Sequence, residues 1–119
     1  MVGEYPGRRA YHSSFVYKKR LYIFGGMDMR AGLTDTLWKI DCGQLLEFVP
    51  GETEFQANPV WIKANCTGIS KPKPISNHTC VVYEPHEKVY LFGGITKETK
   101  EGGGSNGEMY SLELNKYQW

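Results

Sequence analysis

Short apolar and aromatic runs alternate with polar turns along the whole chain. Leu21-Tyr22-Ile23-Phe24, Cys80-Val81-Val82-Tyr83 and Val89-Tyr90-Leu91-Phe92 are among the longest. Runs of this length, rich in β-branched and aromatic residues and bounded by Gly, Pro, Lys or Glu, predict strands. The first predicted hairpin runs from His12 through Tyr17, turns at Lys18-Lys19-Arg20, and returns as Leu21 to Phe24 before Gly25-Gly26. A second runs from His78 through Tyr83, turns at Glu84-Pro85-His86-Glu87-Lys88, and returns as Val89 to Phe92 before Gly93-Gly94. The returning strands are apolar on both faces, which predicts burial on both sides.

The segments after the two glycine pairs also match. A mostly polar loop comes first, Met27 to Leu33 in one copy and Ile95 to Gly107 in the other. A third strand is predicted at Thr36 to Asp41 and again at Met109 to Leu114, each mixing apolar and polar residues as a half-buried strand does. A fourth begins at Trp61-Ile62-Lys63-Ala64 and, in the second copy, at Tyr117-Gln118-Trp119. The period is 66 residues between His12 and His78 (78 − 12) and 68 between Gly25 and Gly93 (93 − 25). Most of the excess over a common unit of about 50 residues lies in an insertion between the third and fourth strands of the first copy.

Four strands per unit, a diglycine closing the second and a tryptophan opening the fourth resemble the kelch repeat, one blade of a β-propeller. The resemblance covers nearly the whole chain. Pro6, Arg9 and His12 match the family's lead-in at three-residue steps, and Trp38 and Tyr110 match its large aromatic on the third strand. The second copy has Pro72, Ile75 and His78, so the arginine of the lead-in is missing there. The expected architecture is therefore all-β, a kelch-type propeller fragment of two four-stranded antiparallel blades. Residues 1–67 form the first blade, with its lead-in and an inserted loop at 43–60; residues 68–119 form the second, incomplete in its fourth strand. Two blades cannot close a ring. The expectation is a segment of a larger propeller, whose remaining blades come from the same chain or from others.

In such a blade the second-to-third loop shares an end with the link into the next blade. The resemblance implies a partner-binding rim there, and Arg8, Asp28, Met29, Arg30, Lys97 and Lys100 are its candidate contacts. Arg9, Lys71 and Lys73 fall on the same end, which points to an acidic protein or peptide partner. The insertion carries Leu45, Leu46, Phe48, Val49 and Phe55 beside Glu47, Glu52 and Glu54. It is read either as packing on the blade edge or as docking a partner.

Composition narrows the function further. The chain has 119 residues, 14 basic and 13 acidic, with a formal net charge of +1. That balance gives no basic strip for nucleic acid, and no apolar run approaches the ~20 residues of a membrane helix. The cysteines Cys42, Cys66 and Cys80 form no CxxC and are odd in number, so buried free thiols and a cytoplasmic location are expected. Asn65-Cys66-Thr67 and Asn77-His78-Thr79 are acceptor triplets, which an extracellular adhesion propeller would use. Gly102-Gly103-Gly104-Ser105-Asn106-Gly107 lacks the Gly-Lys-Ser/Thr ending of a phosphate loop. His12 and His78, at equivalent positions, are read as hydrogen-bonding inside their blades. No Cys/His/carboxylate cluster has ligand spacing, so neither cofactor nor metal is expected. The reading is a non-catalytic protein-interaction module, with a copper-dependent oxidase-type propeller as the enzymatic alternative.

Overall fold

The computed structural model describes residues 5–45, 60–102 and 104–119. Its framework is two antiparallel sheets in sequence. The first contains β2 (Ser13–Tyr17), β3 (Arg20–Phe24), β6 (Leu37–Asp41) and β7 (Ile62–Ala64), hydrogen-bonded in that order. The second contains β9 (Thr79–Tyr83), β10 (Lys88–Phe92) and β12 (Met109–Glu113), with β10 in the middle. Gln118 adds an antiparallel bridge to Glu113, so a fourth strand starts there. Both sheets follow the expected hairpin and third-strand order, and the architecture is that of a kelch-type propeller fragment.

Two groups of short strands extend the sheets at the diglycine end. In the first copy β1 (Arg9–Ala10) pairs with β4 (Met27–Asp28), which pairs with β5 (Gly32–Leu33). In the second, β8 (Ile75–Ser76) pairs with β11 (Ile95–Thr96). The diglycines make these close approaches possible. Gly26 has φ +99° and a Cβ there would lie 2.8 Å from the Ala10 carbonyl oxygen; Gly94 has φ +91°, with the Ser76 oxygen at 2.6 Å. No side chain fits either place.

The second polar loop is not all loop. Lys97–Gly102 forms a short helix, α2. Thr96 and Thr99 begin it reciprocally, the Thr99 N–H donating to Thr96 Oγ1 at 3.3 Å and the Thr96 N–H to Thr99 Oγ1 at 2.7 Å. This capping pattern is local and explains why a polar segment becomes helical. A one-turn helix, α1 (Cys42–Leu45), follows β6. The inserted segment read at 43–60 falls largely outside the described residues, including Leu46, Glu47, Phe48, Val49, Glu52, Glu54 and Phe55.

The core lies between the two sheets. Alternation on β2 buries Ser13, Phe15 and Tyr17 and exposes Ser14 and Val16. The strand register puts Tyr22 and Phe24 on the same face as Phe15, with Leu37 beside Phe24. This face meets Val89, Leu91 and Leu112 of the second sheet. Phe15 stacks on Tyr22 at 4.8 Å, and Phe24 contacts both the His78 ring at 5.7 Å and Trp119 at 5.2 Å. Trp38 is also buried, with its indole N–H on Thr36 Oγ1 at 3.2 Å, whereas Trp61 is only half-buried.

The equivalence of the two copies has a geometric consequence. Ser13, Phe15, Tyr17, Tyr22 and Phe24 correspond to Thr79, Val81, Tyr83, Tyr90 and Phe92. The first set covers the second sheet. The second set lies on that sheet's far face, where Val81 is 63% and Met109 66% exposed. The sheets therefore stack in one sense, and the second presents the face with which the first is buried.

His78 belongs to this stacking rather than to the interior of its own blade. It is buried, and its Nε2 lies 2.7 Å from Ser13 Oγ on the other sheet. Burial pushes its pKa down to about 4, so the ring is neutral in the folded protein. The folded value is below the unfolded one, near 6.5, so its contribution is complete above that pH and is lost as pH falls toward 4. Between pH 7.5 and 5 the chain should lose about 2 kcal/mol through this group. His78→Gln should flatten that part of the curve in denaturant melts; an unchanged pH slope would mean that the imidazole is not the titrating group.

Candidate functional site

The diglycine end gathers the loops that precede and follow each hairpin. Its central support is Arg9. The guanidinium donates from Nη1 to the Gly25 carbonyl at 3.0 Å and to the Thr34 and Thr36 hydroxyls at 3.1 and 3.3 Å. Nε donates to the Pro6 carbonyl at 3.0 Å, and Nη2 reaches the same oxygen. Burial lowers the Arg9 pKa, against the raising effect of Asp28. Arg9 therefore serves as internal support, pinning the lead-in to the diglycine loop.

The second copy has Ile75 in that place, and the structure shows how the arginine is replaced. The Ile75 side chain is fully buried, while the Gly93 carbonyl is capped by Asn106 Nδ2 at 3.2 Å. The Ile75 backbone also ties the two copies together. Its carbonyl accepts from Gly26 N–H at 2.7 Å and its N–H donates to the Thr34 carbonyl at 3.0 Å. The rim is thus one continuous backbone structure across both sheets.

Four of the six candidate residues come together on it. Arg8, Asp28, Met29 and Arg30 line one concavity of about 410 Å³ with Tyr5 and Gly7. Asp28 shapes its wall: Oδ1 accepts the N–H groups of Arg30 at 2.7 Å and Ala31 at 3.0 Å. Those bonds, that of Ala31 foremost, hold its carboxyl below the usual range, with Arg9 and Arg30 adding attraction. Met29 stands 83% exposed at the tip of this turn.

Lys97 lies apart from these four, on a larger concavity of about 810 Å³. Met27, Ala31, Leu33 and Pro74 give it apolar walls, and Lys73, Lys97, Glu98 and Glu101 edge it. The first copy supplies Met27 to Leu33 and the second supplies the rest, so the cavity exists only because the two sheets are joined. Lys100 is on α2, and its side chain falls outside what is described. Tyr5, Met27, Leu33 and Pro74 were not among the candidates, because nothing local marks an apolar residue in a turn as a cavity wall.

Charge on the rim is more balanced than a count of lysines implies. Lys71 pairs with Asp35 at 3.2 Å and Lys73 with Glu98 at 3.1 Å. Glu98 is held below the usual carboxylate range by its own backbone N–H and by the Lys73 ammonium. Among the described residues no three His, Cys, Asp or Glu side chains are grouped as a metal site, and no helix is long and apolar enough to cross a membrane. Cys42, Cys66 and Cys80 are free thiols, all partly buried.

A family model described as the KLHDC2/KLHL20/DRC7 Kelch-repeats domain matches residues 1–119. No curated protein matches the chain significantly. The rim geometry makes Arg9 distinct from its neighbour Arg8. Arg9→Lys should cost about 1–3 kcal/mol in urea melts, because a lysine cannot span the Pro6 and Gly25 carbonyls and leaves buried acceptors unpaired. Arg8→Lys should leave the midpoint unchanged; equal effects at both positions would contradict the assignment.

Proposed function

Because the chain belongs to the family of kelch-repeat domains, a class of β-propeller interaction modules, we propose that it binds a protein or peptide on its diglycine rim and performs no chemistry of its own. The observation that carries this reading is that Arg8, Asp28, Met29 and Arg30 line one concavity beside the larger apolar one that spans the two sheets. An exposed methionine, a fixed turn and two arginines suit an adaptable contact with carboxylates at its edge. Lys97 borders the second cavity and Lys100 follows it on the same helix, so both complete the proposed contact set.

The partner is proposed to be acidic, and its attraction modest. Lys71 and Lys73 are already paired, which among the described side chains leaves Arg8, Arg30 and Lys97 to attract it against Glu101 and Asp28. Such steering is salt-sensitive. The blade division at 67/68 and the supply of further blades, in cis or in trans, belong to the same proposal. It is supported by the exposed apolar face of Val81, Tyr83, Phe92 and Met109, which a further sheet would cover. The three free thiols support a reducing, cytoplasmic setting.

Arg8→Glu with Arg30→Glu should weaken partner capture by about tenfold or more while leaving the melting transition in place. The measurement is quantitative affinity enrichment from cells expressing each form of the complete protein. Capture that survives the double reversal but is lost on deleting residues 44–58 would move the binding surface to the inserted segment and refute the rim assignment.

A further inference from the structure

At the end of the sheet interface away from the rim, a second polar site lies between two turns. The β2–β3 turn supplies Tyr17, Lys18 and Arg20, and the turn after β12 supplies Leu114, Asn115 and Tyr117. With Tyr22 and Lys39 they line a cleft of about 330 Å³. Three cations and three phenol hydroxyls converge there, and among the described residues no carboxylate is part of the lining.

The side chains are held in place by one another. Lys39 Nζ donates to the Tyr117 hydroxyl at 2.9 Å and stands 4.7 Å above the same ring. The Tyr117 and Tyr22 hydroxyls are 2.9 Å apart. Tyr17 donates to Glu87 Oε1 at 2.8 Å, and Lys18 forms an ion pair with Glu87 at 3.2 Å. Asp41 sits beside Arg20 in the strand register, with its Oδ1 taken by the Gly43 N–H at 2.7 Å. Among the described residues neither Arg20 nor Lys39 forms an ion pair with a carboxylate. Lys39 is half-buried on a sheet face that packs against another sheet. A cation in that position is costly without a counter-charge.

Burial, reinforced by Tyr117, pushes the Tyr22 pKa up to about 12 despite Arg20 and Lys39 nearby. Its phenol therefore stays protonated at neutral pH, and since one proton of the Tyr22–Tyr117 pair lies in the bond between them, the pair presents one O–H donor beside the Lys39 ammonium. Arg20 offers a planar fork and Lys39 an ammonium group from the neighbouring strand, while Lys18 is already paired with Glu87. Donors that approach from several directions suit a tetrahedral oxyanion better than a planar carboxylate.

We propose that this cleft binds a phosphate group, as free phosphate or as a phosphate monoester. The site is independent of the rim, and its test reads nothing that the rim controls. Titration calorimetry of the complete protein with inorganic phosphate should give saturable binding that acetate and chloride at matched ionic strength do not reproduce. O-phosphoserine is the second probe: tighter binding than phosphate assigns the site to a monoester, and equal or weaker binding assigns it to the free ion. Arg20→Gln and Lys39→Met should each weaken phosphate by about tenfold, whereas Lys97→Gln on the rim should have no effect. Phosphate should also raise the melting temperature of the parent chain but not of the two variants, and Lys39→Arg should keep both effects. Absence of saturable heat, equal binding of acetate, or equal affinity in the variants would overturn the proposal.

Discussion

Each sheet in this protein carries apolar side chains on both faces, and such a face escapes water only where other structure packs against it. The contact of Tyr22 and Phe24 with Val89, Leu91, Leu112, His78 and Trp119 is where that requirement is met. Everything else depends on it. The stacking brings Ile75 within hydrogen-bonding distance of Gly26 and Thr34, sets His78 against Ser13, and places Tyr117 over Lys39. Because the copies stack in one sense, the same operation leaves Val81, Tyr83, Phe92 and Met109 open on the far side.

The two ends of this stack differ in how they treat charge. At the diglycine end, cations are absorbed by local structure: Arg9 by carbonyls and hydroxyls, Lys71 and Lys73 by carboxylates. Surface pairs of this kind add little stability, but they do cancel attraction for a distant anion. At the opposite end Lys39 and Arg20 face tyrosine hydroxyls instead, and among the described residues Lys18 alone of the three has a carboxylate partner. A count of charges along the chain would rank these ends the other way round, since it cannot see which lysines are already paired.

The correspondence between the copies is looser in side chains than in backbone. Where Arg9 caps the Gly25 carbonyl, Asn106 caps Gly93 from a different loop. A buried carbonyl has to be paired, but the donor can come from any segment that passes close enough. The missing arginine of the second copy is thus a relocation of the donor, made possible by a loop long enough to return past Gly94, whose carbonyl accepts the Asn106 N–H at 2.8 Å.

The hairpins, third strands and diglycine turns were legible in the sequence because each depends on local chemistry: alternation of burial, β-branched and aromatic runs, and glycine where φ is positive. Trp38 and Tyr110 could be placed on third strands for the same reason. The order of residues along the chain also determined the repeat, and with it the kelch architecture and the end on which Arg8, Asp28, Met29 and Arg30 would gather. It could not reveal that His78 bonds to the neighbouring sheet, that Lys73 is paired with Glu98, or that Met27, Leu33 and Pro74 wall a cavity. Nor could it join Lys39 to Tyr117, 78 residues away. These are properties of the distance between segments remote in sequence, and only the packing of one sheet on the other sets that distance.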